Sequence, residues 1–246
     1  MTVPTTSDPR RAYPASVGRL SGERTDWDAA HEGDLVDRLV TERYRALRAA
    51  IEAIGRVPRA PGGPDDGAPV GEVHSLLVVG VDLPVAMVGL RLATAFAQAG
   101  QETLLVDADL RAARERSLAP AAGAASGLAD WLRAEDRDLP CPAYPTGSPH
   151  LALVPAGRPV EAGFDTVRDD RWSALLRGAR AERDRVVVVA APLAAVADAL
   201  LLARHVDGAL LAVAPGKTTS SAAVRARDAL RAAGGRIVGV VLDDGR

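Results

Sequence analysis

The sequence predicts an α/β domain of three layers, a mainly parallel central sheet flanked by helices, and three observations lead there. Six short, near-continuous apolar runs, at 75–80, 103–107, 150–155, 185–190, 208–214 and 236–242, read as strands buried on both faces. Helix-like segments at 86–99, 128–133, 171–182, 196–204 and 220–233 alternate with them, and such alternation builds a parallel sheet covered on both sides. The chain has 246 residues, 48% apolar and 25% charged, which is enough for one sizeable core and a tail.

Along the chain, residues 1–31 mix Pro, Ser, Thr, Asp and Arg without apolar periodicity, the composition of a disordered leader. Between Asp34, a candidate N-cap, and Gly55, a candidate stop, Val36, Val40, Tyr44, Leu47, Ile51 and Ile54 recur at spacings of three and four. Residues 34–55 are therefore expected as an amphipathic helix belonging to the domain. Pro58, Pro61, Gly62, Gly63, Pro64, Gly67 and Pro69 make 56–72 a loop or linker. The main domain then runs over 73–246.

Composition narrows the function classes. A formal net charge of −2 with interspersed Arg, Asp and Glu gives no basic stripe, so nucleic acid is not an expected partner. One cysteine, Cys141, cannot form an internal disulfide, and His31, His74, His150 and His205 are too scattered to predict a metal site. No run approaches the roughly 18 apolar residues that span a bilayer, and the polar, proline-broken start has no signal core. The expected location is the cytoplasm, with any membrane association supplied by a partner.

In a parallel sheet, ligands sit in loops beyond the carboxyl ends of the strands. The first such loop covers 81–88, where a phosphate-binding loop belongs. That loop needs glycines to turn backbone N–H groups inward, a lysine for the β and γ phosphates, and Ser or Thr for magnesium. None is present: Asp82 brings negative charge, Pro84 has no N–H, and Val85 and Ala86 coordinate nothing. A carboxylate about 4 Å from a phosphate charge costs on the order of 1 kcal/mol in water and roughly 4 at a surface-like dielectric. The chain's single lysine, Lys217, lies in Gly216-Lys217-Thr218, which imitates the end of a phosphate loop but has Leu211 where the first glycine belongs.

With these residues in place, the chain resembles the cytoplasmic domain of the bacterial tyrosine kinase family, the polysaccharide-associated autokinases, over roughly residues 34 to 244. The resemblance rests on Leu104-Leu105-Val106-Asp107-Ala108-Asp109-Leu110-Arg111, which is similar to the family's second acidic motif. Gly127-Leu128-Ala129-Asp130, Val154-Pro155-Ala156-Gly157, the segment from Ala197 through Asp198 to Ala203, and the run from Val206 to Val213 add to it in the family's order. The resemblance implies a P-loop NTPase-like fold and, in intact members, ATP and Mg2+ as ligands. It also implies an Asp-Thr-Pro-Pro strand end; aligned through Asp198, its aspartate falls on Val189, followed by Ala190, Ala191 and Pro192. Members carry a C-terminal tyrosine cluster, whereas this sequence ends at Gly245-Arg246 and has Tyr13, Tyr44 and Tyr144.

The expectation that follows is a vestigial site at Asp107, Asp109 and Arg111, with no cofactor and no catalytic residue. Asp107 and Asp109 either cap a strand against loop N–H groups or keep residual cation binding. Glu42, Arg45 and Arg48 stand at the Glu-x-x-Arg-x-x-Arg spacing through which the resembled kinases assemble into rings. At about 100° per residue they form a strip roughly 150° from the apolar stripe, expected to point away from the core. The strip is either an assembly surface or a solvated face with weak pairing. The function expected is a non-catalytic regulator of exopolysaccharide or capsule production, docking on an active kinase homologue, a membrane chain-length or export protein, or a second copy of itself. The alternatives are an active ATP-dependent tyrosine kinase and a partitioning or positioning ATPase.

Overall fold

The computed structural model describes residues 35–54, 72–111, 118, 126–136, 139–158, 160, 169–195 and 197–243. The expected leader, the caps Asp34 and Gly55, nearly all of 56–72, the side chains of Val36 and Val40, Val196 and residues 244–246 lie outside that set. In chain order the described elements are α1 (Leu35–Ile54), β1 (Ser75–Gly80), α2 (Ala86–Ala97), β2 (Thr103–Ala108) and α3 (Leu128–Arg133). They continue with β3 (Tyr144–Pro145), β4 (Leu151–Val154), α4 (Asp169–Glu182), β5 (Arg185–Ala190) and α5 (Asp198–Ala203). The chain closes with β6 (Gly208–Val213), α6 (Ser220–Ala232) and β7 (Ile237–Leu242).

The strands form one seven-stranded sheet in the order β3-β4-β2-β5-β1-β6-β7. Every pairing is parallel except that of β3 with β4, where Tyr144 faces Leu153. β1, β2 and β5 are buried along their whole length, the state of strands covered on both faces. The expected bounds of β1, β5 and α3 coincide with those found, and the other elements differ by one or two residues at an end. The two-residue β3 was not expected, because Tyr144-Pro145 is too short and too proline-bound to carry a strand pattern.

Two apolar clusters lie on opposite faces of the sheet. One packs Leu128, Trp131, Trp172, Leu202 and Leu230 of α3 to α6 against Leu77, Val106, Val188 and Leu211. The other packs Tyr44 and Ile51 of α1 and Val88, Leu92 and Phe96 of α2 against Val78, Leu105, Val189 and Leu210. A glycine makes the second face close: an added Cβ on Gly89 of α2 would lie 2.0 Å from Val189 Cγ1, so α2 presses directly onto β5. Gly100 at φ 80° then turns the chain out of α2 toward β2, in the left-handed region glycine tolerates.

At the amino edge of the sheet, polar groups tie the strand starts together. Asp207 accepts hydrogen bonds from the N–H groups of His74 (3.1 Å) and Ser75 (2.8 Å), the Ser75 hydroxyl (2.8 Å) and Arg180 Nη2 (2.7 Å). Burial alone would raise its carboxyl; the hydrogen bonds from Ser75 and Arg180 and the Arg180 charge outweigh it and hold the group below the ordinary 3.8.

Candidate functional site

The loops that follow β1, β2, β5 and β6 converge at the carboxyl edge of the sheet. In the β1–α2 loop the backbone is drawn into the protein itself. Val81 N–H donates to Ala212 O of β6 (3.0 Å), Gly80 O accepts from Leu193 N–H (2.9 Å) and Val81 O from Ala194 N–H (3.0 Å). The turn folds so tightly over Gly80 that a Cβ there would lie 2.0 Å from Leu83 O. Val81, Leu83 and Val85 are buried in the apolar clusters, while Asp82 and Pro84 are exposed. Val85 precedes α2 with no side-chain cap, and Ala86 opens the helix half-buried.

Asp82 has a partner the sequence did not reveal: its Oδ1 accepts a 2.6 Å hydrogen bond from Thr218 Oγ1. That hydroxyl also accepts from Ala214 N–H at 2.9 Å, so the β6–α6 loop is latched to the β1–α2 loop. Lys217 is exposed beside Thr218, and Gly216 at φ 73° shapes the turn that carries both. A contact across 136 residues leaves no local pattern, although both partners stand in loops that follow neighbouring parallel strands.

Near the end of β2, Asp107 is 1% exposed, with Oδ1 accepting from Asp109 N–H (3.2 Å) and Oδ2 from Leu118 N–H (3.1 Å). These two hydrogen bonds join the end of β2 to the loop that follows it. Asp109 is half-buried beside it. Arg111 reaches across to α5, where its Nε donates to Asp198 Oδ2 at 3.1 Å. Near the end of β5, Val189 is 1% exposed and packs on Gly89. The structure thus gathers Asp82, Asp107, Asp109, Arg111 and Val189 at one edge, as the strand order requires. Among the described residues no group of three His, Cys, Asp or Glu side chains is arranged to hold a metal ion.

On α1, Glu42 and Arg45 are exposed and pair at 2.5 Å, whereas Arg48 departs from the expected strip. Its side chain is only 24% exposed and its Nη1 donates to Glu52 Oε1 at 3.2 Å. Glu52 Oε1 also accepts from Gln101 Nε2 at 2.9 Å, so Arg48 and Glu52 fasten α1 to the turn before β2. The reason is angular: Arg48 sits one residue from Leu47 and its long stem lies along the flank of the apolar stripe. Tyr44 is buried under α1, its hydroxyl pushed up by burial and by the Asp243 charge against the opposing pull of Arg91. Among the described residues no helix is long and apolar enough to cross a membrane.

No protein-family model matches the chain. Over 154 residues it is 27% identical to the tyrosine-protein kinase CpsD of Streptococcus agalactiae, covering 62% of this chain and 65% of CpsD. It is 30% identical over 156 residues to the tyrosine-protein kinase YwqD of Bacillus subtilis, covering 62% of this chain and 63% of YwqD. The chain thus spans just under two thirds of the length of these curated relatives. The kinase domain of the Escherichia coli tyrosine kinase ETK superposes with a TM-score of 0.67 at 25% identity, over 82% of this chain and 74% of that one. The cell division ATPase MinD of Pyrococcus furiosus shares the fold, with a TM-score of 0.53 at 19% identity over 69% of this chain and 71% of that one. The architecture is that of the P-loop NTPases, with a mostly parallel sheet between helical layers.

Proposed function

We propose, for a chain whose homologues are bacterial tyrosine-protein kinases, a non-catalytic role: a regulator of exopolysaccharide or capsule production that keeps the kinase scaffold and acts by protein–protein contact. The observation that carries this reading is the β1–α2 loop. A phosphate cradle is a set of inward N–H donors with a lysine and a hydroxyl. Here Val81 N–H is spent on Ala212, Pro84 has none, and Leu83 and Val85 fill the interior with apolar side chains. Asp82 places a carboxylate on the rim, and Val189 closes the β5 side against Gly89. Mg2+-ATP does not fit this donor set, so no step of a phosphoryl transfer is derived through it. Docking on an active kinase, a membrane chain-length or export protein, or a second copy would use the exposed Glu42 and Arg45 face of α1, with Arg48 holding the helix in place.

A rival reading, an active kinase, draws on the Asp82–Thr218 hydrogen bond, which sets the loop carrying Lys217 against the phosphate-loop position. One assay separates the two. Purified protein incubated with Mg2+ and γ-labelled ATP is expected to show no phosphotyrosine on itself or on added kinase tails, with a melting temperature that nucleotide leaves unmoved. Labelling that disappears in Lys217→Ala, or a melting temperature several degrees higher with ATP, would favour the active kinase, since a ligand of the native state must stabilise it.

A further inference from the structure

The turn between β6 and α6 is tied to the distant chain at one point. Within the turn, Lys217 N–H and Thr218 N–H both donate to Ala214 O (3.1 and 2.9 Å), and Gly216 takes the left-handed φ of 73° that closes it. At its far end Thr219 caps α6, its hydroxyl accepting from Ala222 N–H at 3.2 Å. Pro215, Gly216 and Lys217 are exposed. Among the described residues, one hydrogen bond joins 215–219 to a distant part of the chain, that of Thr218 Oγ1 to Asp82 Oδ1 at 2.6 Å. The β1–α2 loop that carries Asp82 is anchored, with its backbone bonded to Ala212, Leu193 and Ala194 and with Val81, Leu83 and Val85 buried. When the contact breaks, the Lys217 turn is therefore the partner that moves.

A hydroxyl has one proton to give. Thr218 gives it to Asp82 and accepts Ala214 N–H at 2.9 Å, so this side chain has no donor left for a ligand. The 2.6 Å separation is that of a hydroxyl bound to a carboxylate. Lys217 is exposed beside it and forms no ion pair among the described residues. We propose that the Asp82–Thr218 contact is an autoinhibitory strap. While it holds, Asp82 takes the hydroxyl that an oxyanion would need and keeps the Lys217 turn against the β1–α2 loop. Once it breaks, Lys217 and the Thr218 hydroxyl become donors for a phosphate chain. The strap rests on the non-catalytic reading above, in which the wild-type edge takes no nucleotide. Through Thr218 the Asp82 carboxylate also stands near the positive end of α6, where a negative charge is stabilised. The contact is open to water and stands alone, so the turn belongs to the low-stability part of the fold and samples the open state.

Lys217 is the chain's single lysine, so a lysine-specific endoprotease cuts the full chain at one bond, 217–218. When opening is fast relative to cleavage, the rate of that cut follows the open population. Asp82→Ala removes the acceptor and is expected to be cut about fivefold faster than wild type or more, with unchanged melting. Asp82→Asn keeps an acceptor oxygen and is expected between the two. Titration with sodium tripolyphosphate, without magnesium or nucleoside, is expected to show saturable binding to Asp82→Ala. None is expected to wild type or to the Asp82→Ala, Lys217→Ala double variant. Equal cleavage of wild type and Asp82→Ala would overturn the strap, as would faster cleavage without tripolyphosphate binding, or binding that survives the loss of Lys217. Binding by Asp82→Asn as tight as by Asp82→Ala, with cleavage still slow, would assign the effect to charge alone and overturn the strap too. Tripolyphosphate bound equally by wild type would overturn it as well, whereas ATP with Mg2+ bound by wild type would overturn the non-catalytic reading.

Discussion

Asp107 and Val189 face each other across the β2–β5 ladder, and both are 1% exposed, yet one is a carboxylate and the other a valine. The backbone around them explains why each is tolerated. Beyond β2 the chain turns so that the N–H groups of Asp109 and Leu118 point at Asp107, and a buried acceptor with two donors is a stable arrangement. Near the end of β5, Val189 meets α2 at Gly89, where the added Cβ would lie 2.0 Å from its methyl, so the face toward α2 offers close apolar packing. A strand end in this fold therefore keeps a polar residue where loop N–H groups need it, independently of any ligand.

The comparison is sharpest if the two residues are made alike. Val189→Asp buries a second carboxylate beside Asp107 against the tightly packed Gly89 of α2, and should cost about 3 to 5 kcal/mol, read as a lowered urea midpoint or failure to fold. A loss under about 1 kcal/mol would mean that cations or water still reach the β5 end. Asp107→Ala strands the two loop N–H groups and should cost about 1 to 3 kcal/mol by the same measurement. If the variant is as stable as wild type, the Asp107 hydrogen bonds are not what keeps it there.

The Asp207 junction offers a polar control at the opposite edge of the sheet. Its carboxyl is lowered in the folded state, so its contribution is present above the ordinary carboxylate value and is lost as pH falls through the folded one. Arg180→Ala should shift acid unfolding to higher pH while changing little once the pH is below the folded value, where the carboxyl is protonated in both states. A uniform loss at all pH values would assign Arg180 to packing. The smallest effect is expected on α1: Arg45→Glu should stay within about 0.5 kcal/mol of wild type, while Arg48→Glu, placed beside Glu52, should be measurably less stable. Pull-down from the host then reports on partners through Arg45→Glu alone; unchanged partners would make that face only solvated.

The strands were legible because parallel strands buried on both faces are runs of Val, Leu and Ala, and β1 and β5 could be bounded to the residue from Ser75–Gly80 and Arg185–Ala190. The empty phosphate-loop pattern was legible too, since it concerns residue types within one short segment. What pairs across the fold was not: Thr218 on Asp82 and Asp198 on Arg111 join segments more than 80 residues apart, and the helical wheel that put Arg48 outward omitted the length of its stem. The two-residue β3 exists only because β4 offers an edge to Tyr144.

Calorimetric titration of the full chain with ATP and Mg2+ tests the absence of a nucleotide site most directly. No saturable heat is expected, because the 81–85 loop has neither lysine nor hydroxyl and the residue at the β5 end is Val189. Binding tighter than about 100 μM, some 5.5 kcal/mol of affinity, that is abolished in the Asp107→Ala, Asp109→Ala double variant while that variant remains folded, would contradict it.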